Sequence, residues 1–132
     1  MAQEPYNCKY GRIPFFDGNS CDYESWVMSC KMAFTAAGAL EVVTKESEKL
    51  LSDQDRLNNS DKSKHFMELA RRIIAILNGS LSDEYIKLCL PFLERCNVRE
   101  MCIAIEAKVN EDREDNTEMY HCWSINWMPR GL

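Results

Sequence analysis

Histidine is nearly absent from this chain, with two in 132 residues. No H-E-x-x-H pair exists, so a His/Cys zinc set would need His65 and His121 to be drawn to distant cysteines by the fold. Glycine is scarce too, at five residues. None of the patterns G-x-x-x-x-G-K-[ST], G-x-G-x-x-G and G-x-S-x-G occurs, which removes the common phosphate-cradling loops and the nucleophile elbow. Basic charge is in deficit: 16 Lys and Arg face 21 Asp and Glu, for a net charge of -5 and a pI near 5.1. Phosphate binding needs a basic face, so this balance argues against nucleic acid as the main partner. Long hydrophobic runs are missing. Nothing approaches the ~18 apolar residues of a membrane span, and the first twenty residues lack the apolar core of a signal peptide.

Seven cysteines are present, an odd number, and no two are spaced C-x-x-C. With no signal peptide, this usage reads as reduced thiols in a cytoplasmic protein, several buried as small hydrophobes. Cys89, Cys96 and Cys102 could meet at adjoining helix ends. Thiols on apolar stripes are more often core than metal ligands, so no metal is expected. Cys102 with His65 as a nucleophile–base pair has still less support. The acids Asp83 and Glu84 are explained by helix-start electrostatics. No catalytic residue and no cofactor is expected, and the reading is non-enzymatic.

The length suits one domain, and 45% hydrophobic residues suffice for one core. A domain of this size buries roughly two-thirds of the surface its unfolded chain exposes. Residues 1–12 are polar, with Pro5 and Gly11, and read as a flexible arm. Ile13, Phe15 and Phe16 form an extended apolar strip, and Asp17-Gly18-Asn19-Ser20 supplies a turn. A helix follows from about Tyr23 to Ala37, with Asp22 as N-cap and Gly38 at its stop. Tyr23, Trp26, Val27, Cys30, Phe34 and Ala37 make its apolar stripe.

Leu40, Val42 and Val43 should cover the bundle end. Residues 44–60 read as a loop with a short helix. Ser60 caps a long helix over about Asp61 to Asn78, which Asn78-Gly79 ends. A third helix starts at Ser82, is apolar almost all round, should be kinked or split by Pro91, and is closed by Arg95-Cys96-Asn97. Asn97 caps a fourth helix, about Val98 to Asp112. From Arg99 to Glu118 seven acids face three bases, which reads as a solvated helix end and linker. Residues 113–118 are a polar break. In the tail, Met119, Trp123 and Trp127 repeat at i+4 and suggest a last short helix. Trp123 and Trp127 could be core, or an interface for a partner.

Three stretches together resemble a known family. Ile13-Pro14-Phe15-Phe16-Asp17-Gly18, then Tyr23-Glu24-Ser25-Trp26, then Ala37 to Val43 (AGALEVV) are similar to the start of copia-type LTR-retrotransposon Gag polyproteins. Ala70 to Ile86, with its Leu81-Ser82-Asp83 turn, and Asn97 to Val109 resemble later helices of that region. Cys102 stands where the family commonly has Trp, and Val109 where it has Tyr. The tail YHCWSINWMPRGL does not resemble the family, and its zinc knuckle does not occur in these residues.

The resemblance implies an all-α fold, a bundle of about four to five helices with an extended N-terminal arm, like a capsid N-terminal domain. The helical domain would span 13–112, with 113–132 a polar break and divergent tail. It implies self-assembly with its own or related Gag chains, no direct RNA binding by this region, and no membrane. A degenerate remnant, a host-adopted protein and a fragment co-assembling with intact Gag are all open within it. The signature residues are Phe16, Asp17, Gly18, Tyr23, Trp26, Gly38, Leu81, Ser82 and Asp83. The alternative is a helical adaptor that binds a partner peptide in a groove beside Trp26.

Overall fold

Serine and asparagine caps start the two longest helices after residue 60. A computed structural model describes residues 4–45, 52–58, 60–113 and 119–123. In it Ser60 Oγ accepts the Ser63 N–H at 3.2 Å and opens α4 (Asp61–Ser80). Asn97 Oδ1 likewise accepts the Glu100 N–H at 3.3 Å and opens α6 (Val98–Asp112). Before them come α1 (Tyr23–Ala36), α2 (Leu40–Thr44) and α3 (Asp53–Leu57), and between them α5 (Asp83–Cys89). The fold is an all-α bundle with one small two-stranded sheet.

Helix α1 begins one step differently from the expectation. Asp22 sits at the N-cap but makes no side-chain cap bond. Asn19 instead caps a 3-10 turn, Ser20–Asp22, accepting the Cys21 N–H at 3.0 Å. At the other end, Gly38 adopts φ +71. The Ala39 N–H reaches Phe34 O at 2.8 Å and the Gly38 N–H reaches Thr35 O at 3.0 Å, the paired bonds of a Schellman stop. Arg72 on α4 donates to Ala37 O at 2.7 Å, which satisfies a further orphan carbonyl of that helix end. The helix buries Tyr23, Trp26, Val27, Cys30, Ala33 and Phe34.

Helix α4 runs past Asn78-Gly79 to Ser80, so Gly79 is not its stop. Gly79 answers a packing need: a Cβ there would collide with the edge of the Tyr6 ring. Tyr6 belongs to β1 (Tyr6–Cys8), which pairs antiparallel with β2 (Gly11–Ile13), Tyr6 opposite Ile13. The segment read as a loose arm therefore holds most of a hairpin, docked on α4 and α1. The helix also buries Phe66, Ala70, Ile73, Ile76 and Leu77. Two of these are β-branched isoleucines, so core packing rather than propensity holds that stretch helical.

The helix that starts after Ser82 is split at Pro91, one of the two outcomes expected there. α5 ends at Cys89 and gives way to a 3-10 turn, Leu90–Phe92. Pro91 has no N–H to continue the α ladder. Asn97 N–H then bonds Phe92 O and Cys96 N–H bonds Leu93 O, both at 3.0 Å. Cys96 sits at φ +52, a left-handed conformation that costs a non-glycine residue roughly 1–2 kcal/mol. This apolar stretch is not buried all round: Leu90 and Leu93 are exposed. Leu50, Leu51 and Trp127 lie outside the described residues.

The Tyr6–Gly79 contact makes a test by double-mutant cycle. In a Tyr6→Ala background, Gly79→Ala should stabilise by about 1 kcal/mol, the helical advantage of alanine. With Tyr6 present it should destabilise instead. Urea unfolding of the four chains measures the sign change.

Candidate functional site

The extended strip meets the end of α4 through its backbone. Phe16 N–H donates to Ser80 O at 2.8 Å, and Ser82 N–H donates to Phe16 O at 3.0 Å. These bonds form an isolated parallel bridge between Phe16 and Leu81. The fully buried Phe16 ring then touches three others. Trp26 stacks on it at 5.5 Å between centroids, Tyr23 lies tilted at 5.5 Å, and Tyr85 meets it edge-on at 5.1 Å. Trp26 Nε1 donates to Ser80 Oγ at 3.0 Å, so the indole is satisfied as well as buried.

Gly18 belongs to the same junction. Its φ is +108, and a Cβ there would lie 3.0 Å from the Tyr85 ring. Asp17 Oδ1 accepts the Asn19 N–H at 3.2 Å and shapes the turn. Phe16, Gly18, Tyr23, Trp26, Leu81 and Ser82 are thus brought together, with Asp17 at the rim. Asp83 is exposed in the first turn of α5. Gly38 stands apart, at the far end of α1.

A second feature was not visible in the sequence. Helix α6 carries a polar seam that holds residues 120–123. Asn110 donates through Nδ2 to Tyr120 O at 3.1 Å and accepts the Tyr120 N–H at 2.8 Å. Glu106 Oε1 accepts the Cys122 N–H at 2.8 Å and the Tyr23 O–H at 3.1 Å. Arg99 donates to Val43 O at 2.7 Å and to Trp123 O at 3.3 Å. The Trp123 indole N–H reaches Tyr23 Oη at 3.2 Å.

Trp123 is 2% exposed and packs on Trp26 and Phe34. Of the two readings open for it, core or interface, Trp123 takes the core one. Residues 119–123 form no helix, because side chains of α6 take up their main-chain groups. Tyr120, Cys122 and Trp123 are bound to the helical bundle. Glu106 is buried, not part of a solvated acidic run. Its signal was its spacing, since it shares a face with Cys102, Ile105 and Val109.

Among the described residues no group of three or more His, Cys, Asp or Glu side chains is placed to hold a metal ion. His65 is exposed, whereas Cys102 is fully buried. Burial pushes the Cys30 and Cys102 thiols well up, and pushes Cys89 up to about 11. Such thiols are poor nucleophiles at neutral pH.

The groove expected beside Trp26 is not open, because Trp123 fills that side and Trp26 is fully buried. An open groove of about 300 Å³ lies instead between α4 and α5, lined by Ile74, Leu77, Leu81, Ile86, Leu90 and Met101, with Arg71 on its wall. Comparison of the chain with family models, with curated proteins and with solved structures finds no match.

Glu106→Ala should cost about 2–4 kcal/mol, since it leaves two buried donors without an acceptor. Glu106→Gln keeps an oxygen there and should cost markedly less; urea unfolding with Trp fluorescence compares them. Stability should also depend on alkaline pH. Cys30, Cys102 and Tyr23 hold their protons above their ordinary values of 9.0 and 10.0, chiefly through burial, with Glu106 adding repulsion at Tyr23. The unfolded chain loses those protons first. Stability from these groups is therefore complete below pH 9 and falls as pH rises beyond it. A urea midpoint that stays flat up to pH about 11 would contradict this.

Proposed function

We propose that this chain is a non-enzymatic structural module that acts by self-association, of the copia-type Gag capsid kind that its sequence resembles. One observation carries the reading. Three stretches of the resemblance, around Phe16, Trp26 and Leu81, form a single physical unit although they are distant in sequence. A pattern whose members are bound together by backbone bonds and ring contacts is an architectural signature, and it supports a scaffold rather than a reaction centre.

The partners proposed are further copies of the chain or related Gag chains, met in the cytoplasm. Its acidic balance agrees with leaving RNA capture to other regions. Among the described residues no helix is long and apolar enough to cross a membrane. A second reading, an adaptor for a partner peptide, is favoured by the open α4–α5 groove, which has the apolar lining that helical peptides use.

Multi-angle light scattering over a concentration series separates the two. Self-association gives a mass that climbs with concentration; an adaptor stays monomeric throughout. Co-expression with an intact Gag of the copia type should lower its particle yield, and an unchanged yield would sink the co-assembly form of the reading.

A further inference from the structure

A cleft of about 400 Å³ lies between the β1–β2 hairpin and α4. It differs in kind from the apolar α4–α5 groove. Tyr6, Lys9 and Tyr10 form its hairpin wall, and Glu68, Arg71 and Arg72 form its helix wall. The Tyr6 ring lies against Gly79 and seats the hairpin on α4.

The charges in the cleft do not cancel. Arg72 donates to Glu68 at 2.6 Å and to Ala37 O at 2.7 Å. That acid and that base therefore answer each other, and the guanidinium is held in place. Lys9 and Arg71 are left over, one on each wall. Among the described residues neither side chain has an ion-pair or hydrogen-bond partner. The Lys9 ammonium lies 5.1 Å from the centre of the Tyr10 ring, a cation–π contact that keeps it beside the cleft. Three bases against one acid give the lining a charge of +2. The chain as a whole carries -5, so the rest of it carries -7.

We infer that this cleft binds a nucleoside monophosphate, with the phosphate between Lys9 and Arg71 and the base against Tyr10. A phosphate monoester carries about -1.5 to -2 at pH 7, which matches the two uncompensated cations. A carboxylate would leave one of them unanswered. The arginine fork can grip two phosphate oxygens at once. Tyrosine rings offer a base a stacking face, and Tyr10 supplies it because Tyr6 is engaged at Gly79. Arg71 also borders the α4–α5 groove, but that side has no second cation and no aromatic ring to share a ligand with it.

Size and surroundings favour one nucleotide over a strand. The volume falls at the small end of ligand pockets, roughly 300–1,000 Å³. Phosphates further along a strand would leave the basic lining and meet the -7 of the remaining surface. Within a Debye length, about 10 Å at 0.1 M salt, that repulsion is not screened. The site is independent of how the chain associates.

A ¹H–¹⁵N NMR titration with AMP tests it. AMP should shift amides of residues 6–12 and 68–76 in a saturable way. Ribose 5-phosphate and inorganic phosphate should bind about tenfold more weakly, for want of the stacked base. Arg71→Ala and Lys9→Ala should each weaken AMP about tenfold. Tyr10→Ala should bring AMP down to the affinity of ribose 5-phosphate and leave ribose 5-phosphate unchanged. Lys87→Ala, an exposed cation on α5, should change nothing. Lys9 and Arg71 are exposed, so circular dichroism should show both variants folded.

No saturable shift with millimolar AMP overturns the site, as does binding that survives the Lys9→Ala, Arg71→Ala double variant. Equal affinity for AMP and inorganic phosphate reduces it to a general anion patch and overturns the nucleotide assignment. Binding of a single-stranded oligonucleotide without binding of AMP replaces it with a strand site.

Discussion

The structure depends on a two-bond backbone bridge between Phe16 and residues 80–82. It fixes the extended strip against the end of α4, which places the Phe16 ring between Trp26, Tyr23 and Tyr85. Without it, the strip's own polar groups would lie buried without partners, a cost of roughly 1–3 kcal/mol each. With it, Ser80 is held where its hydroxyl accepts the Trp26 N–H. One short pairing thus sets the register of α1, α4 and α5 together. The glycine at 18 follows from the same constraint, since the chain must turn directly beneath the Tyr85 ring.

The second organising element is electrostatic. Arg99, Glu106 and Asn110 lie along one side of α6 and bind main-chain groups of residues 120–123. A short segment without regular structure has no ladder to satisfy its own N–H and C=O groups. The helix supplies them from side chains, and Trp123 then closes the core over Trp26 and Phe34. Glu106 is stable in burial because it accepts from both Tyr23 and Cys122. Large apolar side chains that stay exposed include Met28 and Met32 on α1 and Leu90 and Leu93 at the α4–α5 groove.

Much of the bundle was legible in the residues. The stripe of α1, the Ser60 and Asn97 caps and the Gly38 stop are local signals, set by 3.6-residue spacing and by hydrogen bonds within one turn. The errors share a cause. Tyr6, Gly79, Glu106 and Trp123 have roles set by residues far away in sequence. Gly79 looked like a helix end because glycine usually marks one, but its contact lies with a ring more than seventy positions earlier. Glu106 looked solvated because the stretch from Arg99 to Glu118 is rich in acids, while its neighbours in space are Tyr23 and the Cys122 N–H. Of the candidate junction, the residues were named in advance, but their convergence was not.

By itself the sequence determined that this is a helical chain with enough apolar residues for one core and an acidic balance. Those properties follow from composition and short-range periodicity. Only the tertiary structure decided which side chains are inside and which face outward. It buried Trp26 and Trp123, closed the groove beside them, and left Met28, Met32, Leu90 and Leu93 exposed. The reason is physical: an apolar stripe says that a helix needs a neighbour, but the neighbour is chosen by long-range backbone pairing and by which polar groups find partners on the way.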